Sequence, residues 1–155
     1  MNRPYHIAIT EAKIADLEEI LALLSQLSPP MPDEKLENEQ GMAVLESIIS
    51  NPDYCLCVAG INGKLIGTAL LLLQRNLSHG GRPYAHLENV VTDINYRGKG
   101  VGMEMVNFLI SKAREQDCYK IILNCELKNI PFYKNCGFNV TGEVEMRISN
   151  GRKGE

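Results

Sequence analysis

The chain has 155 residues, 45% hydrophobic and 23% charged, with a formal net charge of −3. That length suits one domain of ordinary globular composition, and the slight negative charge argues against bulk nucleic-acid binding. No apolar run approaches the roughly 20 residues of a membrane span, and the opening MNRPYHIAIT lacks the apolar core of a signal peptide, so a cytoplasmic location is expected.

In chain order, residues 6–9 read as a short strand. A helix starts at Thr10 or near Asp16, since Leu17, Ile20, Leu21, Leu24 and Leu27 recur at the helical period, and Ser28-Pro29-Pro30-Met31-Pro32 stops it. Residues 39–49 form a second helix with Met42, Leu45, Ile48 and Ile49 on one side. Residues 54–61 and 64–73 flank Asn62-Gly63, a strong hairpin signal. A polar loop over 74–84 leads to a strand over 85–92, then to the basic, glycine-rich Arg97-Gly98-Lys99-Gly100-Val101-Gly102 and a helix carrying Met105, Phe108, Leu109 and Lys112. Residues 120–125 read as a strand, 129–136 as a short helix closed by Gly137, and 138–148 as one or two last strands. This order predicts a mixed α/β domain over residues 1–149, with 150–155 a frayed tail. It does not alternate strand and helix enough for a doubly wound fold, and no Walker loop is present.

Five cysteines is an odd count with no CxxC pair, and none has zinc-ligand spacing. Reduced, mostly buried thiols and no bound metal are therefore expected.

The segment over 97–102 is the chemical centre of the sequence. Glycines let the backbone approach a ligand closely, and the N-terminus of the following helix offers free N–H groups and a positive dipole end. An anion cradle results, suited to a pyrophosphate. The alternative is an ordinary strand–helix turn with glycine caps.

Arg97-x-x-Gly100-x-Gly102 resembles the pyrophosphate signature of the GNAT superfamily of acetyl-CoA-dependent N-acetyltransferases. The segment Asn129-Ile130-Pro131-Phe132-Tyr133-Lys134-Asn135-Cys136-Gly137-Phe138 resembles that superfamily's N-x-x-F-Y-x-x-x-G-F element. The resemblance implies the GNAT fold, a central, mostly antiparallel sheet with splayed strands flanked by helices. Acetyl-CoA is then the co-substrate. Within the superfamily, CYKIILNC over 118–125 and HLENV over 86–90 are similar to segments of the glucosamine-6-phosphate N-acetyltransferases. Asn89 and Asn124 stand where that family carries acidic residues.

The resemblance implies a division of labour. Backbone N–H groups of Val90, Val91 and Thr92 would hold the thioester carbonyl and the pantetheine, and one such donor is typically worth about 3 kcal/mol. Gly98, Gly100, Val101 and Gly102 would hold the pyrophosphate, helped by Arg97 or Lys99, with Asn129 also on the cofactor. Tyr133 would be the general acid, since a phenol can protonate a nascent thiolate; its alternative role is packing beside Phe132. Glu88 would orient the amine or take its proton, half-buried by Leu87 and Val90; the alternative is an outward-facing strand carboxylate. His79 and His86 are further proton acceptors. Ser28, Asn76, Leu77, Ser78, His79, Glu88, Asn89, Tyr119, Lys120, Asn124 and Arg147 would surround the acceptor, Tyr119 and Lys120 across a homodimer interface.

The expected reaction is direct acetyl transfer to the primary amine of a small acceptor, glucosamine 6-phosphate fitting best. Lys120, Arg82 and Arg147 favour an anionic acceptor over a polyamine. The rivals are the same chemistry on another small amine, such as an amino acid or polyamine, or on a protein N-terminus, and a non-catalytic CoA-binding sensor module. No nucleic-acid or membrane partner is expected.

Overall fold

The computed structural model describes residues 6–31, 34 and 36–149. They fall into two compact units that divide between Leu123 and Asn124. The expected tail over 150–155 lies outside the described residues.

The first unit is a five-stranded sheet in the order β1-β2-β3-β4-β5, formed by Ala8–Glu11, Tyr54–Ile61, Lys64–Gln74, Tyr84–Thr92 and Ile121–Ile122. The first four strands run antiparallel, and β5 joins β4 in parallel. Helices α1 (Leu17–Leu27) and α2 (Asn38–Ile49) precede β2, and α3 (Val101–Glu115) follows β4. Asn62 and Gly63 turn the β2–β3 hairpin with φ of 50° and 81°, the left-handed pair that a type I′ turn demands.

Alternation along the strands sorts the core into two layers. Val58 packs with Leu17, Ile20 and Leu45 beneath α1 and α2, and Thr68 and Leu70 line the same side. The opposite face receives α3, which buries Val101, Met105, Val106, Leu109 and Ala113. Gly67 is where α3 comes closest: a Cβ there would lie 2.7 Å from Met105 Cε and 3.1 Å from the Val91 carbonyl oxygen. Thr68 is a polar residue buried in this core, and its hydroxyl donates to the Cys57 carbonyl at 2.9 Å.

The second unit holds one short helix, α4 (Ile130–Asn135). Gly137, at φ 96°, closes it as expected.

Three expectations need correction. The strand foreseen over 120–125 shrinks to Ile121–Ile122. The strands foreseen over 138–148 do not form, since a strand requires a neighbour's edge for its N–H and C=O groups and none of the described strands pairs with this segment. Val140, Val144, Met146 and Ile148 are exposed there. Of the five thiols only Cys57 is fully buried, and Cys125 is exposed. Burial first, then the nearby Glu11 carboxylate, pushes the Cys55 thiol up to about 11, and burial pushes Cys57 up to about 12. A neutral thiol is a poor nucleophile, which leaves neither suited to carry an acyl group.

Candidate active site

Strand β4 carries Glu88, Asn89, Val90, Val91 and Thr92 of the residues singled out by the sequence, and its geometry changes along its length. Leu70 pairs with Glu88 and Thr68 with Val91, so Asn89 and Val90 together oppose the single residue Ala69. This is a β-bulge, and Asn89 in it takes a left-handed conformation (φ 53°), as the first residue does in one class of bulge. The bulge puts Glu88 and Val91, three apart, on the face of Leu70 and Thr68, which looks towards α1 and α2. Glu88 is nevertheless exposed. The half-burial expected of it fails because strand neighbours point to opposite faces: Leu87 pairs with Leu71 and is buried on the far side.

The outer edge of β4 meets β5 only at Ala85 and His86. Beyond that point none of the described strands pairs with it, so the residues running to Thr92 present an open main-chain edge. Val91 is buried there, with Val90 and Thr92 intermediate.

At the end of β4 the backbone is held tightly. The Asp93 N–H donates to the Ile66 carbonyl at 2.8 Å and the Tyr96 N–H to the Asp93 carbonyl at 2.8 Å. The Asp93 carboxylate accepts from the Asn95 N–H at 2.9 Å and from the Gln26 amide at 3.2 Å. These bonds, that of the Asn95 main chain first, hold its carboxyl below the usual carboxylate range. Gly98 (φ 72°) and Gly100 (φ 84°) then take left-handed conformations, and α3 starts at Val101. Its first intrahelical bond is donated by the Glu104 N–H to the Gly100 carbonyl, so the N–H groups of Val101, Gly102 and Met103 have no acceptor within the helix. The cations were expected on the anion, but each also tethers the hinge: Arg97 Nε donates to the Thr92 carbonyl at 3.2 Å, and Lys99 Nζ to the Asn95 carbonyl at 2.9 Å while lying over the Tyr96 ring.

At the other end of β4 side chains gather instead. His79 stacks on Tyr119 with centroids 4.0 Å apart, and Tyr84 lies against both Tyr119 and His86. Lys120 Nζ sits 5.1 Å from the Tyr84 ring centre and 5.6 Å from that of Tyr119. Of the candidate anion-binding cations, Arg82 is taken by Asp117 through two bonds of 3.0 and 2.9 Å, and Arg147, in the second unit, by Glu145. Lys120 has no described carboxylate within ion-pair reach. Asn76 and Ser78 bond each other through Nδ2 and Oγ at 2.8 Å, which leaves Leu77 between them fully exposed. Ser28 ends α1, its N–H on the Leu24 carbonyl, and shares no bond or ring contact with the aromatic cluster.

In the second unit Tyr133 is half-buried, edge-on to Phe132 at 4.9 Å and Phe138 at 6.0 Å. Asn129 precedes α4 but makes no side-chain capping bond. Asn124 is exposed. Among the described residues no cluster of three or more His, Cys, Asp or Glu could hold a metal, and no helix is long and apolar enough to cross a membrane.

Sequence reasoning missed Gln26, Asp93 and Tyr84. Asp93-x-Asn95 carried a readable signal, an aspartate bonding the main chain two residues on, whereas nothing local marks Gln26, whose partner is 67 residues away.

The sequence model of the Acetyltransferase (GNAT) family matches residues 17–138. The chain is 35% identical over 136 residues to a glucosamine 6-phosphate N-acetyltransferase of Trypanosoma brucei brucei, covering 86% of this chain and 89% of that protein. It is 34% identical over 144 residues to glucosamine 6-phosphate N-acetyltransferase 1 of Oryza sativa subsp. japonica, covering 90% and 85%. Among solved structures, a putative acetyltransferase from Agrobacterium tumefaciens str. C58 superposes with a TM-score of 0.84 at 34% identity, over 92% of this chain and 99% of that one. The glucosamine-6-phosphate N-acetyltransferase of Arabidopsis thaliana superposes with a TM-score of 0.82 at 27% identity, over 95% and 99%.

Proposed function

The chain belongs to the GNAT family of acetyltransferases, and from that premise we propose that it transfers acetyl from acetyl-CoA directly to the primary amine of glucosamine 6-phosphate. The observation that carries the reading is the open edge of β4 running into the left-handed glycines at the start of α3. That edge offers amide-to-amide pairing, and the helix start offers unpaired N–H groups and a positive dipole end, which together suit the pantetheine and pyrophosphate of CoA.

When bound, acetyl-CoA supplies the acyl group already activated as a thioester. The edge-facing amides of Val90 and Thr92 polarise its carbonyl by donating to the oxygen, while Val91 between them faces Thr68 of β3 and holds the strand in register. The N–H groups of Gly98, Gly100, Val101 and Gly102 hold the pyrophosphate, with Arg97 and Lys99 adding positive charge beside it. Glu88 orients the amine and removes its proton through water, a role that suits a carboxylate open to solvent. Tyr133 gives a proton to the departing sulfur, and Asn129, whose amide makes no cap, binds the cofactor. Lys120, resting on two tyrosine rings and clear of described carboxylates, takes the acceptor's phosphate, with His79 and Tyr119 forming the wall beside it. Ser28, Asn76, Leu77, Ser78 and Asn89 complete the acceptor surroundings.

The acceptor assignment is supported by what the relatives are named for and by the cation at Lys120. Thiol release from acetyl-CoA with glucosamine 6-phosphate and with unphosphorylated glucosamine tests it. The phosphorylated sugar should be much the better acceptor, and equal rates would remove it. One observation favours a second reading, another small amine. An apolar cavity of about 180 Å³ beneath α1 and α2, lined among others by Leu21, Leu24, Leu45, Leu70 and Asn89, would suit an aliphatic arm such as that of an apolar amino acid. Adding such amines to the same assay discriminates. The exposed Val144, Met146 and Ile148, alternating as a strand would, support a homodimer in which a second copy covers them; light scattering on the purified protein tests that.

A further inference from the structure

One hydrogen-bonded pair links α1 to the cofactor hinge and has no part in the roles set out above. Gln26, in the last turn of α1, accepts from the Ile94 N–H through Oε1 at 3.0 Å and donates to Asp93 Oδ2 through Nε2 at 3.2 Å. Asp93, 8% exposed, accepts on its other oxygen from the Asn95 N–H at 2.9 Å and the Asn95 side-chain amide at 3.1 Å.

The direction of every bond is forced. A main-chain N–H can only donate, so Ile94 requires the oxygen of Gln26 to face it. The amide NH₂ of Gln26 must then point at residue 93, which has to present an acceptor there. The Asn95 N–H demands a second acceptor from the same side chain. An ionised carboxylate offers acceptors on both oxygens; an asparagine offers one acceptor and one donor, and either way of turning it sets two donors against each other. The sequence at 26 and 93 is therefore chemically specified. What the pair holds is the departure of the chain from β4: Ile94 and Asn95 lie in the turn whose Tyr96 N–H returns to Asp93 and whose Asn95 carbonyl receives Lys99. The left-handed glycines and the free N–H groups of α3 follow directly.

We propose that Gln26 and Asp93 are a positioning pair that presets the hinge amides for the CoA pyrophosphate, so that little ordering remains to be done on binding. This rests on the reading that the hinge binds CoA. Reciprocal substitution tests it, with CoA binding followed by calorimetry and acetyl transfer by thiol release. Gln26→Glu sets two carboxylates together, and Asp93→Asn sets two donors together. Each should weaken CoA binding at least about tenfold, since bonds to a charged group are involved, and should raise KM for acetyl-CoA with kcat at saturation within about threefold of wild type. The double variant Gln26→Glu/Asp93→Asn has the wild-type charge and restores acceptor facing donor in every bond, so CoA affinity should return to within about threefold. Gln26→Ala, a truncation on the helix surface, gives a second route if either charge variant fails to fold, and should weaken CoA several-fold.

Single variants that bind CoA as tightly as wild type, whatever their melting temperatures, would overturn the proposal by making the pair purely structural. Loss in the single variants without recovery in the double would also overturn it, because bond direction would then not be the cause. A wild type that does not bind CoA would instead remove the underlying reading of the hinge.

Discussion

The two ends of β4 are built from different materials. At Thr92 the site is main chain: a bulge, a turn pinned by Asp93, two left-handed glycines and the unpaired N–H groups of α3. Side chains there mainly serve the backbone, Arg97 and Lys99 included. At Tyr84 the site is side chain: His79 on Tyr119, Tyr84 against His86, and Lys120 over two rings. A ligand shared by a whole family suits the first kind of site, because amides bind phosphate whatever the neighbouring side chains. A ligand that differs between family members suits the second, where one substitution alters what is recognised.

If that division is right, substitutions at the two ends should raise different KM values, and the proton carried to sulfur should belong to neither. The largest effect expected is therefore in kcat. Tyr133→Phe should lower kcat about a hundredfold, the lower range for a positioned acid, with both KM values within about threefold. A KM effect with kcat intact would return Tyr133 to packing between Phe132 and Phe138. Next comes the main-chain end. Gly100→Val forces a branched side chain to φ 84°, a strain of about 1–3 kcal/mol, and should raise KM for acetyl-CoA at least about tenfold without moving that of the acceptor. If the acceptor KM rises equally, the two ends are not separable. Smaller again, Lys120→Ala should raise KM for glucosamine 6-phosphate about threefold to fivefold, the range of an exposed charge, and leave KM for acetyl-CoA and activity on unphosphorylated amines unchanged.

The same contrast explains what could be read from the chain beforehand. The hairpin, the hinge and α4 were legible because glycines and Asn62-Gly63 impose local backbone angles, and the apolar periods of α1 and α3 mark which faces are buried. The register break at Asn89 was not legible, since it is defined against Ala69 on another strand. Nor was the exposure of Glu88, whose face is set by its pairing with Leu70 on another strand rather than by its buried sequence neighbour Leu87. Arg82 looked like an anion-binding cation because Asp117, its partner, is 35 residues distant. The strand pattern over 138–148 is real in the alternation of Val144, Met146 and Ile148, but a pattern supplies one edge and pairing requires two.

Both ends of β4 lean on the same sheet, and alkali should disable them together where the substitutions act apart. Cys55 and Cys57 lie on β2, their thiols pushed up to about 11 and about 12 from an ordinary 9.0, burial being the first cause for each. A folded-state value above the unfolded one stabilises fully below pH 9 and is lost as pH rises through the folded value. The urea midpoint should therefore fall steadily as pH rises above 9, with no matching acid-side loss from these thiols. Cys57→Ala should lower the midpoint slightly at neutral pH, through the small cavity it leaves, yet flatten the alkaline slope, with the two proteins drawing together by about 1 kcal/mol near pH 10. Parallel curves for wild type and Cys57→Ala would mean that the alkaline loss arises at tyrosines and lysines, and that the shared sheet contributes nothing to it through Cys57.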